Sequence, residues 1–98
     1  MLIIRTTFIA KPGQASKLAG MFHRAFLNKD NVRVMTDEIA DFNTVIMETA
    51  VKDLAEYEQI MRDYANNRAN MDPAVAEEMK SYTDMWLTGK REVFRIVE

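Results

Sequence analysis

Apolar and polar residues alternate along this chain with two periods, and each change of period marks an element. Leu2 to Ala10 is rich in β-branched and aromatic residues and predicts a strand. Its alternate side chains put Leu2, Ile4, Thr6 and Phe8 on one face and Ile3, Arg5, Thr7 and Ile9 on the other. Lys11-Pro12-Gly13 stops the strand, because proline has no amide for the ladder and glycine supplies turn freedom. From Gln14 to Leu27 the period is helical, with Ala15, Leu18, Phe22, Ala25 and Phe26 in one stripe and Met21 at its edge. Val32 to Ile39 and Phe42 to Ala50 then read as the two strands of a hairpin joined through Ala40-Asp41.

Asp53-Leu54-Ala55-Glu56 has the form of a capping box and predicts a second helix reaching Arg68, with Leu54, Tyr57, Met61, Tyr64 and Ala65 on its apolar face. The polar run from Asn66 to Asn70 predicts a corner. Asp72-Pro73 predicts a third helix start, an N-cap acid followed by proline at the first helical position. Val75, Met79, Tyr82 and Trp86 recur at helical spacing, Gly89 suits a C-cap, and Arg91 to Val97 reads as a last strand. The order is β-α-β-β-α-(α)-β, an α+β chain of the ferredoxin-like split βαβ kind. It predicts a four-stranded antiparallel sheet with helices on one face, formed as a single domain over residues 1–98.

Strand parity leads to a homodimer. The last strand splits into Phe94 and Ile96 against Val93, Arg95 and Val97, and the near-pure hydrocarbon sets are expected under the helices. The other sets mix branched apolar residues with arginine, which a solvated face rarely does. A second copy would cover them. The expected interface is Ile3, Arg5, Thr7, Glu48, Val93, Arg95 and Val97, the arginines pairing with acids such as Glu48.

Composition removes several function classes. A formal net charge of −2 gives no pull towards nucleic acid or anionic lipid, so neither is expected as a partner. With no cysteine and one histidine, disulfides, iron–sulfur clusters, thiol nucleophiles and a multi-histidine metal site within one chain are excluded, and no metal is expected. No phosphate-cradling glycine loop, nucleophile elbow or two-histidine zinc motif occurs, so no cofactor is implied. No apolar run approaches the ~20 residues of a membrane span, so no membrane is expected and the cytoplasm is the expected location.

The strand ending Ile9-Ala10-Lys11-Pro12-Gly13 and leading straight into an amphipathic helix resembles the dimeric α+β barrel superfamily. Within it the likeness is closest to NIPSNAP-like proteins, with antibiotic-biosynthesis monooxygenases as more distant relatives. Thr36-Asp37-Glu38-Ile39 and Val45-Ile46-Met47-Glu48 look like that branch's central hairpin, and Leu54-Ala55-Glu56-Tyr57-Glu58 like the start of its second helix. The resemblance implies a dimeric barrel. It does not carry the relatives' chemistry across, because Thr6 stands where the monooxygenases have a strand asparagine and His23 is not where haem-degrading relatives place their iron ligand.

Six residues are candidates for holding a ligand: Thr6, Tyr57, Tyr64, Arg68, Tyr82 and Trp86. Thr6 interrupts an apolar strand face with a hydroxyl. Tyr57 and Tyr64 bring hydroxyls to a helix's apolar face, and Arg68 could clamp an acid at its end. Tyr82 and Trp86 would form an aromatic wall. Each has a plainer structural reading: core packing for the aromatics, helix C-capping for Arg68, an ordinary strand position for Thr6. His23 falls outside the first helix's apolar stripe, and no catalytic residue is assigned. The leading expectation is a small apolar organic molecule bound between sheet and helices, in a pocket that methionine suits. The alternatives are a cofactor-independent monooxygenase or isomerase acting on an aromatic or quinone-like substrate, which rests on the resemblance, and a protein-association module.

Overall fold

A computed structural model describes residues 1–27, 29–66 and 72–98. Its elements are β1 (Leu2–Ala10), α1 (Ala15–Ala25), β2 (Val32–Thr36), β3 (Thr44–Val51), α2 (Leu54–Asn66), α3 (Pro73–Met79) and β4 (Trp86–Arg95), with a 3-10 turn over Tyr82–Asp84. The strands form one antiparallel sheet in the order β2-β3-β1-β4. β1 is central, and its burial alternates strictly, with Leu2, Ile4, Thr6, Phe8 and Ala10 all buried. Beyond it, Pro12 and Gly13 form the two corners of a tight turn closed by Gln14 N–H donating to the Lys11 carbonyl at 2.9 Å. Gly13 has φ 81°, the value a type II turn needs at its second corner and a Cβ disfavours.

Helix starts follow their local chemistry. Asp53 Oδ1 accepts from Glu56 N–H at 2.9 Å, while Glu56 reaches back to the Lys52 amide, so the first turn of α2 is capped from both directions. Asp72 Oδ1 accepts from Ala74 N–H at 2.8 Å and Val75 N–H at 3.4 Å, with Pro73 opening α3. The main core lies under α1, where Leu18, Met21 and Phe22 meet Phe8, Ala10, Val45 and Met85. A smaller core of Leu2, Ile4 and Val51 is covered by Tyr57 and Ile60 of α2.

Three expectations are corrected. The hairpin strands are shorter than expected, leaving residues 37–43 as a loop tied by Asp37 Oδ1 accepting from Thr44 N–H at 3.1 Å; Ile39 and Phe42 sit on it, 98% and 87% exposed. The third helix ends at Met79, and Trp86 opens β4 instead of closing a helix. Pairing along the whole of β1 accounts for this, since Trp86-Leu87-Thr88 is β-prone and the central strand offers it a ladder. Gly89 is accordingly a strand residue, not a cap. A Cβ there would stand 3.3 Å from the Trp86 ring and 3.4 Å from that of Phe8.

The third correction concerns faces. Directly paired residues share a face, and β4 sets Val93 against Ile4, Arg95 against Leu2 and Phe94 against Ile3. Val93 and Arg95 therefore lie on the helix side, and Phe94 lies on the open side with Ile3, Arg5 and Thr7. Val97 lies past the end of the strand and is 96% exposed. As an edge strand with apolar residues on both faces, β4 carries no pattern that reveals its own parity.

On the open face Glu48 stands opposite Arg5 on one side and Arg33 on the other. Arg5 Nε donates to Oε2 at 2.6 Å and Arg33 Nε to Oε1 at 2.8 Å. The two guanidinium groups cover the carboxylate, leaving it 3% exposed although no helix lies over it. Burial pushes this carboxyl up, but the hydrogen bonds and charges of Arg33 and Arg5 outweigh that and hold it below the ordinary 4.5. A carboxyl with a lower pKa folded than unfolded stabilises the fold above its unfolded pKa, and that stabilisation is lost as pH falls towards the folded one. Both arginines reach water, which limits the contribution. Glu48→Gln is expected to lower the urea-unfolding free energy by about 1–2 kcal/mol at neutral pH. The gap between variant and parent should close below pH ~4; a gap independent of pH would contradict the assignment.

Candidate functional site

The two cores do not meet across the sheet, and the gap between them is the site. Thr6 lies on β1 between Ile4, in the smaller core, and Phe8, in the larger. α2 packs down through Tyr57 and Ile60, yet it has no buried residue along its length. Met61 and Tyr64, one turn on, face a trough instead of a packed layer. This trough has two lobes of about 510 and 520 Å³. They share Thr6, Phe26, Met47, Met61, Tyr64 and Arg91 as walls. The first lobe runs on to Ile4, Tyr57 and Ile60, the second to Phe8, Phe22, Met79 and Tyr82.

The walls are mainly apolar and aromatic. Phe26 of the α1 C-cap stacks on Tyr64 of α2 with centroids 6.1 Å apart, closing one side. Phe22 meets Tyr82 edge-on at 6.2 Å on the other. Polar groups are few. Thr6 is buried, and Arg91, its cross-strand partner on β4, donates from Nε to the threonine hydroxyl at 3.4 Å. The same guanidinium lies over the Tyr57 ring, 6.0 Å from its centroid. Lys29, Asn31 and Asp63 also line the first lobe and Lys80 the second. Asn31, Asp63 and Lys80 have local partners in the Ala50 carbonyl, Gln59 and Glu77.

Of the residues singled out from the sequence, Thr6, Tyr57, Tyr64 and Tyr82 line the trough. Trp86 does not. A bulge at Leu87, where the β1–β4 register shifts between Ile9 and Ala10, turns the Trp86 ring onto Phe8 at 5.2 Å and Tyr82 at 6.4 Å, within the main core. Arg68 lies outside the described residues. His23 is exposed on α1. Among the described residues no group of three or more His, Asp or Glu is placed to hold a metal, and no helix is long and apolar enough to cross a membrane.

Sequence reasoning missed Arg91, Phe26, Met47 and Ile60. The apolar members look like core residues in a sequence, because a cleft wall and a core face have the same periodicity. Arg91 was hidden by register, since a shift of one residue decides whether it faces the helices or the open side.

No family model matches the sequence, and no curated protein matches it. Solved structures do. A NIPSNAP family protein from Agrobacterium tumefaciens superposes with a TM-score of 0.77 at 8% identity, over 99% of this chain and 93% of that one. An uncharacterized NIPSNAP domain protein from Burkholderia xenovorans gives 0.66 at 15% identity, over 99% and 95%. An antibiotic biosynthesis monooxygenase, described as putative, from Deinococcus radiodurans gives 0.64 at 14% identity, over 100% and 94%. Identities this low speak for the fold alone. The chain has the β-α-β-β-α-α-β fold, with a four-stranded antiparallel sheet, of NIPSNAP-family structures and of antibiotic biosynthesis monooxygenases along essentially its whole length.

Proposed function

We propose that this protein is a homodimer that binds a small apolar organic molecule in the trough between α2 and its sheet. The observation that carries the reading is the position of α2. Its apolar stripe is presented to the sheet without a buried residue, over a cleft walled by aromatic rings and methionines. An apolar stripe left against water forgoes roughly 25 cal/mol for each Å² it could bury, and a ligand of matching character recovers it. Pockets of this size and lining, with a few convergent polar groups, are the usual form of a small-molecule site. The monooxygenases share the fold, but fold does not carry a reaction with it, and the polar groups here hold and orient. Binding is therefore the reading.

The dimer rests on the open face. Ile3, Ile9, Met35 and Ile46 are half-buried there, while Phe94 is 43% exposed with Arg5 stacked 5.2 Å over its ring. Arg5 and Arg33 compensate the Glu48 carboxylate within one chain and leave the triad with one net positive charge, so the face can be covered without leaving a lone buried carboxylate. The self-contacting set is Ile3, Arg5, Thr7, Glu48 and Phe94.

Two experiments test these readings. Met61→Trp places a bulky ring in the trough from a helix position already 38% exposed, so the fold should survive. Titration of the parent with naphthalene-type fragments should move the amide NMR signals of Thr6, Met47, Tyr57 and Tyr64, and the variant should bind at least about tenfold more weakly at unchanged melting temperature. Shifts confined to other surfaces would contradict the site. In sedimentation the parent should run at twice the 11.3 kDa of the chain at micromolar concentration, and Phe94→Glu, on an edge strand, should run at the single-chain mass. A parent that sediments as a monomer would overturn the dimer.

A further inference from the structure

The trough's charge pattern narrows what it would take, an inference that rests on the binding reading above. Arg5 and Arg33 pair with Glu48, Arg24 with Glu78, and Arg62 with Glu58. Arg91 is different. It projects from β4 onto the helix side of the sheet, where its nearest ladder neighbours on that face are Val93 and Gly89 and its cross-strand partner is Thr6. Among the described residues no carboxylate lies within salt-bridge distance of it, and neither of its terminal nitrogens donates a hydrogen bond. Asp63, the one acid among the described residues that line the trough, accepts from Gln59 at 2.8 Å instead.

What does hold Arg91 orients it. Its Nε donates to Thr6 Oγ1 at 3.4 Å and its Cζ lies 6.0 Å from the centre of the Tyr57 ring, so a threonine and a ring bias the side chain towards the trough. A guanidinium held in this way keeps the planar fork of donors that matches a carboxylate, and needs little reordering to use it. It stands where the two lobes join, because both include it. We infer that the ligand is an organic acid: its carboxylate meets Arg91 at the junction, with Thr6 beside it, and its apolar body lies along the rings and methionines of a lobe. A neutral hydrocarbon would leave this cation with water alone as its partner at the mouth of the trough, and an amine would be repelled by it.

The test compares naphthoate with neutral naphthamide, a pair of nearly the same shape, by calorimetric titration and amide NMR. Two variants of the exposed Arg91 are used: Arg91→Met, which keeps the stem and removes the charge, and Arg91→Lys, which keeps the charge and loses the fork. The parent should bind naphthoate at least about tenfold more tightly than naphthamide, with shifts at Thr6, Tyr57 and Tyr64. Arg91→Met should abolish that preference by weakening naphthoate binding to the level of naphthamide, and Arg91→Lys should keep only part of it. Equal binding of acid and amide by the parent, or an acid preference that survives in Arg91→Met, would overturn the inference while leaving the trough a binding site. Failure of both probes to move any trough residue would overturn the binding reading and this inference with it.

Discussion

The structure depends on β1 lying at the centre of the sheet with one register on each side. Because β1 pairs with β3 and β4 along nearly its whole length, its alternation is imposed on both neighbours. The same alternation separates the two surfaces of interest. Thr6, Met47 and Arg91 fall on the side of the helices, and Arg5, Glu48 and Phe94 on the open side. A slip of one residue between β1 and β4 would send Arg91 out and Phe94 in, exchanging a trough with a held cation for a closed apolar seam. The type II turn at Pro12-Gly13 and the bulge at Leu87 fix the ends of this arrangement.

The energetics follow from how little chain there is. A domain of this length buries only about two-thirds of its unfolded surface, and here that burial is divided between two cores. α1 is committed to the larger one. α2 is anchored at Tyr57 and Ile60 and extends over Met47 without sealing it in. The gap thus arises from one helix that reaches farther than the core beneath it. Its apolar lining stands open, and the same shortage of burial leaves the other side of the sheet uncovered. Both surfaces leave apolar groups open to water, one in a concave trough and the other across the open face of the sheet.

The order of elements and the β1 parity were legible because each rests on a strong local signal: a strict two-residue period, a Pro-Gly turn, a capping aspartate before each of α2 and α3. The reach of α3 was not, because Tyr82 and Trp86 continue a helical spacing by coincidence while pairing with β1 decides the matter. Parity in β4 was hidden for a related reason, since Val93 and Phe94 put apolar groups on opposite faces of it and Ile96 and Val97 continue the apolar run past its end. Thr6 could be suspected from the sequence alone, being a hydroxyl in an otherwise hydrocarbon set. Arg91 could not, because its meaning comes entirely from what lies across the ladder.

The central claim is that the space under α2 is meant to be filled, and native mass spectrometry of gently purified protein addresses it most directly. One spectrum reports both the assembly mass and any retained molecule. A filled trough in a homodimer predicts a species at twice the chain mass carrying a discrete additional mass, which fragments as an organic acid and disappears in Met61→Trp. A bare species of single-chain mass, unchanged by that substitution, would contradict it.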